Sequence, residues 1–123
     1  MAWTFWIGLG AILGGMGVGL GAFGAHGLKD RLTPEYLAVF ETGVRYHMYH
    51  VFALLTVGLI ATRLDSSLVR TAGICFTAGI VLFSGSLYGL TLSGLKGLGM
   101  ITPIGGLFFL IGWFTLAYAL LRI

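Results

Sequence analysis

The chain is 123 residues long, the length of one domain, and 58% of it is hydrophobic against only 9% charged, with mean hydropathy +1.00. Soluble domains carry about 25% charged residues, so this composition excludes an ordinary soluble enzyme and any disordered class. The net charge of +3, from seven Lys/Arg against four Asp/Glu, comes with no basic run and no aromatic-basic interleaving, which speaks for charges at membrane boundaries and against a nucleic-acid partner.

Four apolar stretches follow in chain order. Residues 3–23 form 21 positions without a charge, about 31 Å as a helix, which matches a hydrocarbon core of about 30 Å. The stretch lacks a basic leader and is longer than a signal-peptide core, so it reads as a span. The second span covers approximately 43–62, the third 71–92 and the fourth 103–121. Transmembrane strands would alternate over about ten residues, and these runs do not. Short links at 63–67 and 93–99 make consecutive helices antiparallel. The expected fold class is all-α: a single-domain, integral-membrane, up-down bundle of four transmembrane helices.

The first connection, 24–42, is richer. Thr33-Pro34-Glu35 reads as an N-cap, an N1 proline and a first-turn acid, and the helix it opens is expected to run on into the second span. Leu28, Leu32, Tyr36, Leu37 and Phe40 recur at helical spacing beside Lys29, Asp30, Arg31 and Glu35, as in an interfacial helical segment that covers the bundle end or meets lipid. Thr102-Pro103 repeats the start signal for the fourth span. Arg63, Arg70 and Arg122 gather at one end, Lys29, Arg31 and Lys96 at the other with Arg45 near that boundary, so the count of cations leaves orientation undecided.

Glycine supplies 21 residues, about 17% against an average near 7%. Gly10/Gly14, Gly15/Gly19 and Gly17/Gly21 each fit the small-xxx-small pattern that lets helices approach closely in lipid. This density predicts that the first helix is central in the bundle or packed against a second copy, making a homo-oligomer. Trp3, Trp6 and Tyr118, near span ends, read as interfacial anchors. Trp113, deeper in the fourth span, and the single cysteine, Cys75, read as packing residues.

Polar residues at membrane depth are costly and normally face the bundle interior with partners. The second span carries Glu41, Arg45, Tyr46, His47, Tyr49 and His50. Glu41 and Arg45, four apart, are set for an ion pair. Gly43, Tyr46, His47 and His50 share another face at about 100° per residue. His26 closes the first span at the same end. In the third span Gly73, Thr77, Ser84 and Tyr88 fall within about 60° of one another, a small-polar stripe interrupted midway by Ile80, while Ser86 points roughly the opposite way. The candidate polar site is therefore His26, Glu41, Arg45, Tyr46, His47, His50, Ser84, Ser86 and Tyr88, with no catalytic, metal or cofactor residue assigned.

Four motifs in order, Gly21-Ala22-Phe23-Gly24-Ala25-His26-Gly27-Leu28, Tyr46-His47-Met48-Tyr49-His50, Phe83-Ser84-Gly85-Ser86-Leu87-Tyr88 and Thr102-Pro103-Ile104-Gly105-Gly106 with Gly112-Trp113, resemble those of the domain of unknown function 423 family. These are the UPF0382 small bacterial membrane proteins, to which transmembrane protein 256 is similar. The resemblance covers essentially the whole chain. It implies a four-span protein of the bacterial cytoplasmic membrane and brings no activity, substrate or cofactor. Family members often carry Gln where His47 stands, which favours His26 and His50 over His47 for a shared role.

Three readings compete for the cluster. The first is a structural network that fixes the bundle, in a protein that binds membrane lipid or a partner. The alternative is a proton, ion or small-molecule transport or channel component acting as an oligomer, with His26 and His50 titrating. The third is a zinc or haem site on His26, His47 and His50, for which the spacing lacks a partner motif on a second helix. A serine nucleophile at Ser84 or Ser86 lacks the strand-to-helix elbow such chemistry uses.

Overall fold

In the computed structural model, which describes residues 3–123, every regular element is helical. The first span is α1, Trp3–His26, and the second is α2, Pro34–Ala61. The third comprises α3, Ser67–Gly79, a π-helical turn, Ile80–Ser84, and α4, Gly85–Ser93, in one continuous rod. A short 3-10 helix, Lys96–Met100, leads into the fourth span, α5, Thr102–Leu121. Each of the four rods is long and apolar enough to cross a membrane.

The Thr33 start signal operates as read: its hydroxyl accepts from the Tyr36 N–H at 3.2 Å and Pro34 opens α2. At 28 residues α2 is about 42 Å long, so its first turns project beyond a core of about 30 Å. They are the helical segment expected after the first span. The residues before them, 27–32, form turns, and Leu28 is buried there. Thr102-Pro103 likewise marks a helix start, since α5 opens at Thr102 with Pro103 in its first turn, but the threonine is not the cap. Thr102 lies inside α5, the preceding Ile101 occupies the cap position without a side-chain bond, and the Thr102 hydroxyl is engaged by Ser86 instead. At the other turn Gly94 takes φ +76° and its N–H bonds the Leu90 carbonyl at 2.8 Å, a left-handed stop that only glycine adopts at little cost.

The rods pair as α1 along α2 and α3 along α5, with α2 also packed against the third span. The antiparallel α1–α2 seam is a glycine ladder. Gly10, Gly14, Gly17, Gly21 and Gly24 face Leu54 and Leu55, Val51, His47 and Met48, Val44, and Phe40 in turn. The alternating spacing of four and three is the seam of a left-handed helix pair. The glycines therefore mark one close seam. They do not make α1 central: it stands at the edge of the bundle, and Gly8, Gly15 and Gly19 meet nothing within 4 Å. Of the three small-xxx-small pairs, Gly15/Gly19 lies on that open face.

The core lies between α2, α3 and α5, around Leu54, Val57, Phe76, Ile80, Phe109 and Leu116. Trp6 joins it. Its ring crosses from α1 onto Gly73 and is 1% exposed, so it is no interfacial anchor. Trp3, at 47% exposed, keeps an anchor's position. Cys75 packs against Gly112 as expected.

Nothing in the spacing of the third span announces the π-helical turn. Gly105 of α5 sits so close to the backbone of Leu82 and Phe83 that a Cβ there has no room. The turn widens the third rod at this contact, and the Gly85 N–H reaches back five residues to the Ile80 carbonyl. The extra residue shifts the phase of everything beyond it. Ser84 and Tyr88 face α2, while Thr77 bonds its own Gly73 carbonyl at 2.9 Å and takes no part in their contacts.

Candidate functional site

α2 supplies the centre of the polar cluster, because Gly43, His47 and His50 fall on its buried face. His47 is 2% exposed. Its Nε2 lies 2.7 Å from the Leu13 carbonyl of α1 and its Nδ1 2.9 Å from the Tyr88 hydroxyl of α4. A carbonyl only accepts, so Nε2 carries the proton and donates. Nδ1 of the neutral ring then accepts from the Tyr88 O–H. This reach depends on Gly17, where any side chain would press on Met48 Sδ and on the imidazole itself.

His50, one turn on, is held in the opposite tautomer. Its Nδ1 lies 2.6 Å from the Tyr46 carbonyl and donates to it, and its Nε2 accepts from the indole N–H of Trp113 in α5 at 3.0 Å. The ring stacks on Phe109 with centroids 3.5 Å apart and planes within 7°. Ser84 is fully buried and donates to the Gly43 carbonyl at 2.6 Å. The missing side chain at Gly43 also admits the Tyr88 ring. Ser86, on the other side of the rod, pairs with Thr102 of α5 at 2.5 Å.

Side-chain hydrogen bonds thus tie all four spans together, with α2 as the hub: to α1 through His47, to the third span through Tyr88 and Ser84, and to α5 through Trp113. Ser86–Thr102 closes the remaining contact. In lipid each unpaired polar group costs several kcal/mol, so these pairings decide which faces the helices present to one another.

Several members of the expected site lie elsewhere. His26 ends α1 exposed, beyond the buried part of the seam, and joins neither histidine. Its place in a three-segment meeting is taken by His47, the residue the family resemblance ranked lower. Glu41 and Arg45 are both exposed and make no ion pair; among the described residues the sole ion pair is Arg70–Asp65, at 2.8 Å. Those two side chains sit on the outer face of α2, where nothing holds them together. Tyr46 contributes its carbonyl, while its ring lies outside against Tyr49 and Phe83, 38% exposed. Trp113 was read as packing and is the donor to His50. Its spacing carries no signal for this; only the pairing of α3 with α5 brings it there. Among the described residues no group of three His, Cys, Asp or Glu is placed to hold a metal ion.

A family model described as "Protein of unknown function (DUF423)" matches residues 20–106. A relative named UPF0382 membrane protein YwdK, from Bacillus subtilis, is 50% identical over 93% of this chain and 94% of its own. A UPF0382 membrane protein of Staphylococcus epidermidis is 49% identical over 93% of both chains, and one of Staphylococcus aureus is 50% identical over 90% of both. No solved structure matches. The matched segment begins near the His26 end of α1, includes all of α2 and the third rod, and ends at Gly105 and Gly106 where α5 meets the π-turn. With four membrane-spanning helices and relatives of half-identical sequence along nearly its whole length, the chain belongs to the DUF423 family of small bacterial membrane proteins.

Proposed function

We propose that this is a non-catalytic component of the cytoplasmic membrane that acts by binding lipid or a partner on its outer surface, and that its histidine cluster is a lock holding that surface in shape. One observation carries the reading: all four ring nitrogens of His47 and His50 are engaged by groups of the same chain. An imidazole that serves a transported proton or a metal needs a nitrogen free for it. Here a proton reaching His50 Nε2 must first displace Trp113, and a metal at His47 must displace either Leu13 or Tyr88. Nothing in the cluster favours the transport alternative.

The test reconstitutes the purified protein in proteoliposomes under a pH gradient, beside His50→Ala. The lock reading expects proton leak equal to that of empty vesicles for both proteins, and a lower unfolding midpoint for the variant. Proton flux through the native protein that vanishes in His50→Ala overturns it.

A further inference from the structure

A seam away from the lock has the features of a lipid site. Between α1 and the third rod runs a groove of 480 Å³ whose walls include Phe5, Trp6 and Leu9 on one side and Ile74, Ala78 and Val81 on the other. Thr77 also lines it, but with its hydroxyl turned onto the Gly73 carbonyl, so the surface the groove offers is apolar. One turn nearer the surface, Trp3, Ser66, Val69 and Arg70 border a second cavity of 310 Å³. Arg70 lies one turn before Ile74 on the same face of the rod, so its side chain borders the second cavity above the groove.

We propose that this seam holds one anionic phospholipid, its phosphate on Arg70 and an acyl chain in the groove below. The assignment rests on the reading that this protein works by binding, and three observations support it. First, the charge is complementary: Arg63, Arg70 and Arg122 share this end with Asp65 as the one acid near them. Second, Arg70 is available. Its ion pair with Asp65 is open to water, the carboxylate being 95% exposed, and such pairs are weak enough to exchange. A phosphate offers the guanidinium a bidentate partner. Third, the groove has the depth of one leaflet. From Ile74 to Leu82, the last residue lining it, the rod rises about 12 Å, against about 15 Å for half the hydrocarbon core. An acyl chain fits a groove that ends at mid-membrane.

The experiment is native mass spectrometry of the protein released from nanodiscs of equal phosphatidylglycerol and phosphatidylcholine. The native chain is expected to keep one phosphatidylglycerol per protomer. Arg70→Gln is expected to lower its retention about tenfold, the scale of one lost charged hydrogen bond. Asp65→Asn, which frees Arg70, is expected to raise it. Ala78→Trp, which fills the groove, is expected to remove the bound phosphatidylglycerol, while Arg70→Lys keeps partial retention and guards against a folding defect in the glutamine variant. Equal phosphatidylglycerol retention by the native chain and Arg70→Gln overturns the proposal, as does a lipid-free dimer. Neither result touches the lock, which shares no residue with this seam and fails on proton flux instead.

Discussion

Gly105→Ala is the substitution that the packing resists most sharply. An ideal Cβ at this position lies 2.7 Å from Phe83 Cα and 2.8 Å from the Leu82 carbonyl carbon, closer still to Phe83 N, against the 3.4 Å at which ordinary contact begins. The obstructing atoms are backbone of the π-turn, so no rotamer change relieves them. α5 must back away by several tenths of an ångström, which lengthens Ser86–Thr102 from 2.5 Å and Trp113–His50 from 3.0 Å. Overpacking of this kind costs about 1–3 kcal/mol, and a rigid obstacle places this site at the upper end. Weakening the two interhelical bonds adds about 0.6 kcal/mol apiece, while alanine's helix propensity returns up to about 1 kcal/mol. A net loss of about 3 kcal/mol is expected. The neighbouring Gly106→Ala is the control, because its Cβ meets Phe83 Cδ2 at an ordinary 3.8 Å; it is expected to be neutral or to stabilise by up to about 1 kcal/mol. Reversible unfolding in bicelles, followed by tryptophan fluorescence, measures both. Equal midpoints for the two variants refute the close contact at Gly105 and with it the origin of the π-turn.

Other substitutions separate the lock from its surroundings. Tyr88→Phe removes the donor to His47 and leaves a buried nitrogen unpaired; the expected loss is between about 0.6 and 1.7 kcal/mol in the same unfolding assay. Trp113→Phe keeps an aromatic ring on Phe76 and removes only the donor to His50, so a similar loss is expected, together with disorder in the His50 tautomer by nitrogen NMR. Gly17→Val thrusts a branched side chain at Met48 and His47 and is expected to cost about 2–3 kcal/mol, whereas Gly15→Ala, on the open face of the same helix, is neutral or slightly stabilising. Glu41→Gln and Arg45→Gln, exposed and unpaired, are expected to change the midpoint by less than about 0.5 kcal/mol, singly or together.

The four spans are legible in the sequence because lipid leaves little choice: a charge-free run of about 20 residues has to pair its backbone internally, and a helix does that alone. Thr33-Pro34-Glu35 is legible for a local reason, since cap, proline and acid act within one turn. Thr102-Pro103 marks the start of α5 for the same reason, and only its capping bond differs, because a hydroxyl on α4 engages the threonine. Contacts of that kind are set by tertiary approach, which no local spacing encodes. The same applies to Trp113, whose partner is 63 residues away, and to Trp6, drawn from the interface into the core by a glycine on another helix. Glu41 and Arg45 have the spacing of an ion pair but lie on an outward face, where solvent and headgroups compete with the pairing. Ser84 and Tyr88 share a face with Ser86 opposite, as their spacing predicts, but they part from Gly73 and Thr77 because regular α-periodicity carries no mark of an inserted π residue. His26 shares the depth of the other histidines in the sequence but stands exposed at the end of α1, because depth alone does not bring side chains into contact.

Nitrogen NMR of specifically labelled histidine in lipid bilayers reads the lock itself. Two distinct neutral rings are expected at neutral pH: His47 protonated at Nε2 with Nδ1 accepting from a phenol, and His50 protonated at Nδ1 with Nε2 accepting from an indole. The His50 pattern should show a through-space contact to the Trp113 N–H, and Tyr88→Phe should alter His47 alone. Two rings with a shared tautomer, or one that exchanges its protons freely with water, would contradict a four-helix bundle fastened through α2.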